Sequence, residues 1–213
     1  MKWIWIAILP IILWSCEQES STFAMIETDA GNMKIKLYNS TPQHRENFIE
    51  LANKGFYDGL LFHRVMDGFM IQGGDPDSKD AKPGQQLGRG GPGYTIPAEI
   101  GAPHFKGALS AARQPDHVNP DRESSGSQFF IVHGSVQTDQ QLDNMARSRN
   151  LTYNDAQRKL YKELGGYPFL DGEYTVFGEV VEGLEIIDNI AKVATDANRR
   201  PLEDIRIIKI EIL

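Results

Sequence analysis

Apolar and polar residues alternate through Ala24–Thr28 and again through Met33–Tyr38, with Asp29-Ala30-Gly31-Asn32 between the two runs. A period of two places successive side chains on opposite faces of a strand, so this segment predicts a β-hairpin. The period then lengthens. Thr41 followed by Pro42 is a helix-start signal, and Phe48, Ile49, Leu51 and Ala52 recur at helical spacing before Gly55, which predicts a helix over about 42–54. Short apolar runs at Leu60–Val65, Phe69–Gln72, Leu109–Ala112, Gln128–Val132 and Tyr174–Val181, separated by glycine-rich loops, predict further strands. Alternation returns at Ile205–Leu213, the expected closing strand.

Two stretches break this β pattern. Asp75–Gly93, rich in Gly, Pro, Asp and Lys, predicts a long surface loop. Residues 137–165 are polar and helix-prone, with Leu142, Met145 and Ala146, then Leu151, Ala156, Leu160 and Leu164, at helical intervals. They predict a helical hairpin inserted into a β domain that spans 23–213, with a solvated connector as the simplest role.

The N-terminus follows a different rule. Lys2 precedes an almost wholly apolar run from Ile4 to Leu13, too short for the roughly 20 residues of a transmembrane helix and matching a secretory signal. Leu13-Trp14-Ser15-Cys16 resembles the lipobox of bacterial lipoproteins, in which the cysteine is acylated. The expectation is a signal peptide over 1–15, a lipidated Cys16 and a polar tether over 16–22, anchoring the domain to a bacterial membrane in the cell envelope, facing the periplasm. Cys16 is the single cysteine, so no intramolecular disulfide is available.

Composition narrows the function. The 213 residues are 40% hydrophobic and 24% charged, enough for one domain with its own core. A formal charge of −7 without a basic cluster in the sequence argues against nucleic acid as a partner. The five histidines form no short-spaced zinc pair. Asp75, Asp77 and Asp80 lack the turn glycine and terminal glutamate of a calcium loop, and Gly88–Gly93 is not followed by Lys-Ser/Thr. No metal or cofactor is expected.

Three blocks carry the chemistry. Phe62-His63-Arg64-Val65-Met66-Asp67-Gly68-Phe69-Met70-Ile71-Gln72-Gly73-Gly74-Asp75 puts an arginine, a phenylalanine, a methionine and a glutamine on two adjacent short strands. Ser125-Gly126-Ser127-Gln128-Phe129-Phe130-Ile131 and Phe169-Leu170-Asp171-Gly172-Glu173-Tyr174-Thr175-Val176-Phe177-Gly178-Glu179-Val180 follow in order. Together they resemble the cyclophilin family over about residues 24–213, the insertion excepted. The resemblance implies a closed eight-stranded antiparallel β-barrel with a helix across each end, the second helix at about 183–193.

It also implies cis/trans isomerisation of X-Pro bonds in polypeptide substrates. Arg64 is then the catalytic arginine, steadied by Gln72. Phe69, Met70, Phe130 and Leu170 form the proline pocket, with Ala112, Gln128, Phe169 and Tyr174 at its rim; His63 has no proton-transfer role. Arg113–Glu123, longer than in compact members, borders the region that reads residues before the proline. The chain is expected to act as a monomer. A peptide-binding module without fast isomerisation and a structural envelope lipoprotein are the competing classes.

Overall fold

The computed structural model describes residues 21–213; the expected signal peptide, Cys16 and most of the tether lie outside the described residues. The alternating segments form β1 (Thr22–Thr28) and β2 (Gly31–Leu37). Thr28 pairs with Gly31, so the turn is tighter than the four residues predicted. The Thr28 hydroxyl closes it by donating to the Gly31 carbonyl at 2.6 Å. Gly31 has a φ of +127°, a value that side chains with a Cβ rarely adopt.

Helix α1 (Pro42–Asn53) follows, with Pro42 in the first turn as its sequence predicts. Next come β3 (Arg64–Met66), β4 (Met70–Gly73), β5 (Thr95–Ile96), β6 (Ala108–Ala111), β7 (Ser124–Ser125) and β8 (Phe129–Val132). Helices α2 (Asp139–Arg149) and α3 (Asp155–Glu163) precede β9 (Val176–Glu182), α4 (Leu184–Ala191) and β10 (Ile207–Ile212). Eight strands form one antiparallel sheet in the order β10-β1-β2-β9-β6-β8-β4-β3. The short β5–β7 pair, which the sequence pattern misses, stands apart.

The sheet curls but does not close into the barrel expected from the sequence. Its edges, β3 and β10, are joined by no strand ladder; the seam holds an isolated bridge between Leu61 and Arg206 and the backbone bonds Ile207 N–H to Leu60 O and Phe62 N–H to Ile205 O. The physical reason lies at Leu60–Val65: a full strand is predicted there, but only Arg64–Met66 keeps regular pairing. The result is an open half-barrel.

The concave face is filled by Ile26, Met33, Ile35, Phe48, Ile71, Phe129, Ile131 and Phe177, among others. α1 contributes Phe48, Leu51 and Ala52, and α4 contributes Ile187, Ile190 and Ala191. Each large apolar side chain buried this way is worth about 1.5–3 kcal/mol, and the aromatic ring contacts of Phe48 with Tyr57, Phe129 and Phe177 add geometry to that burial.

The insertion is two capped helices. Thr138 with Gln141 and Asn154 with Gln157 form reciprocal capping boxes at the starts of α2 and α3. Its two ends meet at a bridge between Ser135 and Gly166. A Cβ on Gly134 would lie 2.4 Å from the Gly166 carbonyl carbon, so the neck requires glycine there. Leu142, Tyr153 and Tyr161 form its own small core, with Phe105 of the main domain packed against it. The predicted apolar positions Leu160 and Leu164 are exposed instead. Tyr161 takes the buried face because its hydroxyl finds a buried acceptor, Asp171, at 2.6 Å.

Candidate active site

The register of three strands decides which side chains face outward. β3 pairs with β4 as Arg64 with Gln72, Val65 with Ile71 and Met66 with Met70. Val65 and Ile71 point into the concave core, so Arg64, Met66, Met70 and Gln72 share the opposite, convex face. β4 then pairs with β8 as Gln72 with Phe130. Phe129 and Ile131 are therefore core, whereas Phe130 joins Met70, Ala112 and Leu170 in a second apolar cluster outside the sheet.

This outer face carries a pocket of about 100 Å³ lined by Arg64, Phe69, Met70, Gln72, Ala112, Arg113, Phe130, Leu170 and Tyr174. Arg64 is fixed at its mouth. One guanidinium nitrogen donates to Gln72 Oε1 at 3.2 Å, the other lies 3.2 Å from Met66 Sδ, and the group sits 5.6 Å from the centre of the Phe69 ring. Partial burial, with Arg199 nearby, lowers the Arg64 pKa from the usual arginine value. Gln72 passes the constraint on, donating to Gln128 Oε1 at 3.0 Å, and Gln128 donates to the Gly90 carbonyl at 2.8 Å. The result is a chain of amides behind one cation.

Of the residues expected at the site, Arg64, Gln72, Phe69, Met70, Ala112, Phe130, Leu170 and Tyr174 come together in this pocket. Gln128 lines an adjoining cavity of about 640 Å³, together with Gly91, Thr95, Gln114, Asn119 and Glu123. Phe169 lies outside the ring-sized pocket. It is 54% exposed, in a third cleft on the other flank, beneath the Arg149 guanidinium 4.3 Å from its ring centre. It turns outward because it occupies the middle of the 3₁₀ turn Pro168–Leu170, whose neighbours Pro168 and Leu170 are buried.

Sequence reasoning missed Arg113, whose guanidinium lies 4.6 Å from the Tyr174 ring centre. It also missed a polar support behind the pocket. Asp171 Oδ1 accepts from the His104 backbone N–H at 2.7 Å and pairs with His104 Nδ1 at 2.9 Å. Asp171 Oδ2 accepts from Tyr153 at 2.9 Å and Tyr161 at 2.6 Å. The His104 ring stacks on Phe130, with centroids 6.1 Å apart and planes 11° from parallel. The insertion is therefore tied through one carboxylate to the floor of the pocket. Asp171 sits within the third motif block, but its partners are distant in sequence, which leaves no local signal.

The long loop after β4 is anchored rather than free. Asp75 is fully buried and accepts from the backbone N–H groups of Asp77 and Gly88. His63 lies beside it, 4% exposed, and neither ring nitrogen makes a hydrogen bond among the described residues. Burial pushes its pKa down to about 4 against the opposing pull of Asp75. The unfolded chain takes up this proton near pH 6.5 and the folded one only near 4, so the contribution is present above pH 6.5 and is lost as pH falls toward 4. The shift to about 4 corresponds to about 3 kcal/mol. Urea unfolding across that window should show this loss, and His63→Gln should flatten the slope, leaving the part due to His44, which burial also lowers. Parallel profiles would remove His63 from the account.

The curled antiparallel sheet thus bears, on its convex face, a small apolar pocket beside a fixed guanidinium. The family model for cyclophilin type peptidyl-prolyl cis-trans isomerase/CLD matches residues 23–212. A Staphylococcus saprophyticus protein assigned by name to the peptidyl-prolyl cis-trans isomerases is 36% identical over 195 residues, covering 89% of this chain and 90% of its own. A Staphylococcus aureus relative named likewise is 33% identical over 196 residues, covering 92% and 93%. The crystal structure of a Cryptosporidium parvum cyclophilin type isomerase superposes with a TM-score of 0.65 at 26% identity, covering 91% of this chain and 98% of that one. The same parasite enzyme has also been crystallised in the presence of the dipeptide Ala-Pro. The chain belongs to the cyclophilin-type peptidyl-prolyl cis-trans isomerase family and is an enzyme of that type.

Proposed function

We propose that this isomerase acts on X-Pro bonds of exported polypeptides in a bacterial cell envelope, held there by a lipid on Cys16, and that Arg64 is its catalytic group. The observation that carries the reading is the guanidinium of Arg64, held by Gln72 at the mouth of the small apolar pocket.

Rotation about X-Pro must cross about 18–20 kcal/mol of lost amide resonance and takes tens to hundreds of seconds unaided. No covalent bond is made or broken. As the amide twists, the prolyl nitrogen recovers its lone pair and becomes an acceptor. A donor already in place stabilises that state more than either planar ground state. Arg64 supplies this donor while keeping its charge, and its planar fork needs no proton transfer. Phe69, Met70, Phe130 and Leu170 grip the ring, Ala112 and Tyr174 border it, and the carbonyl side of the bond turns past Arg64. Gln128 flanks the residues before the proline.

A protease-free exchange assay on a short proline peptide tests the catalytic reading; interconversion no faster than in buffer would overturn it. For the anchor, Cys16→Ser should shift the protein from the membrane to the soluble fraction, since no helix of the described residues is long and apolar enough to cross a membrane. Retention of the processed Cys16→Ser protein on membranes would refute lipid anchoring.

A further inference from the structure

We propose that the cleft between the helical insertion and the proline pocket receives an acidic side chain of the substrate, one to three residues after the isomerised proline. The inference rests on Arg64 facing the prolyl nitrogen, because that contact sets the direction of the bound chain. The residue before the proline is bonded to that nitrogen. It therefore leaves on the side of Arg64, Gln72 and Gln128, toward the 640 Å³ cavity. The residues after the proline leave over Leu170 and Tyr174, which line both the proline pocket and the cleft in question.

That cleft has a volume of about 710 Å³, and its lining brings together Arg113, Arg122, Arg147 and Arg149 with only Asp116 and Glu173 as acids. Glu173 is already shared by Arg113, Arg122 and Arg149 at 3.3, 2.9 and 2.8 Å, and Asp116 by Arg113 and Arg122 at 2.5 and 2.8 Å. Arg147 donates to the neutral Asn144 at 2.5 Å and makes no ion pair among the described residues. Four guanidiniums thus face two carboxylates, on a chain whose formal charge is −7. Arg147 and Arg149 come from the last turn of α2, so the insertion brings half of this positive charge to the groove.

Geometry also suits a peptide rather than a free ion. The Phe169 ring is more than half exposed at the floor of the cleft, offering an apolar surface to the substrate's backbone and side-chain stem. An extended chain advances about 3.3–3.6 Å per residue, so one to three residues carry a carboxylate from Tyr174 into the cleft. Guanidinium forks bind carboxylates through paired hydrogen bonds, and partly exposed pairs of this kind weaken as salt is added.

The test compares three short peptides that differ only at the second residue after proline, Glu, Gln or Lys, in the exchange assay with the full chain. The expected order is Glu over Gln over Lys, with kcat/KM for Glu about five- to tenfold above Gln at low salt and the gap shrinking as salt rises. Arg147→Gln with Arg149→Gln should bring the Glu-to-Gln ratio close to one. The single variant Arg147→Glu, at an exposed position, should move the preference toward Lys. Normal turnover of the Gln peptide with no preference for Glu, or a preference that survives both variants, overturns the cleft assignment alone. Absence of turnover on all three peptides overturns the catalytic reading and the cleft assignment with it.

Discussion

Replacing Arg64 by alanine is expected to lower kcat/KM on a short X-Pro peptide by two to three orders of magnitude. That is the usual consequence of removing a donor positioned for a transition state. The fold should survive. Arg64 is half-buried and its principal partner is Gln72, so the lost hydrogen bond costs about 1 kcal/mol and a few degrees in Tm. Arg64→Lys should recover only part of the rate, because an ammonium on a flexible stem cannot keep the guanidinium's fixed donor plane. Exchange kinetics and a thermal melt on the same preparations decide the matter. Near-normal turnover by the alanine variant, with the fold intact, would remove Arg64 from the mechanism.

The largest expected effect on stability is at Asp171. Its carboxylate receives four hydrogen bonds, from the backbone and ring of His104 and from the hydroxyls of Tyr153 and Tyr161, all in buried surroundings. Burial, and then the Asp171 charge, push both phenol pKa values up, which keeps both hydroxyls as donors. Asp171→Ala strands those donors at about 1–3 kcal/mol each. Their costs are not additive, and a total loss of about 4–5 kcal/mol is expected in urea unfolding at neutral pH. Tyr161→Phe removes one donor and should cost about 1–2 kcal/mol, with a smaller drop in turnover transmitted through His104 to Phe130. A loss below 1 kcal/mol for Asp171→Ala would mean that water replaces the network.

Local pattern explains where sequence reading succeeds. The β1–β2 alternation and the Thr41-Pro42 start are short-range signals, and their hairpin and helix form close to the predicted positions. Arg64, Phe69, Met70 and Gln72 were legible as a group through the resemblance of their block to a known family; strand alternation alone puts Arg64 on the face of Phe62, which the structure buries in the core, and it is the β3–β4 register that sets Arg64 opposite Gln72. What failed depends on distant partners. Sheet closure depends on whether β3 and β10 can extend a ladder across the seam. The exposure of Phe169, by contrast, is set locally, by the buried Pro168 and Leu170 either side of it. Tyr161 was passed over for Leu160 and Leu164 because hydrophobic periodicity rewards leucine and gives no credit for an acceptor such as Asp171, ten residues further on in another element.

The open seam has a kinetic consequence for Arg64, the proposed catalytic group. β3 is three residues long, pairs with β4 on one side and has no regular strand on the other. Across the gap, the Val65 N–H donates to the carbonyl of Arg199, a residue with a φ of +67° in the loop before β10. Arg64 is thus mounted on an element that can fray without unfolding the sheet, and edge segments of this kind exchange their amides through local opening. The precision of the guanidinium then depends in part on how often that bond is intact, the seam bonds of Leu60 and Phe62 lying on the other side of Arg64. Loosening the loop around Arg199 would shorten the time Arg64 spends in register with Gln72, slowing turnover while the concave core and the overall melting temperature stay as they were.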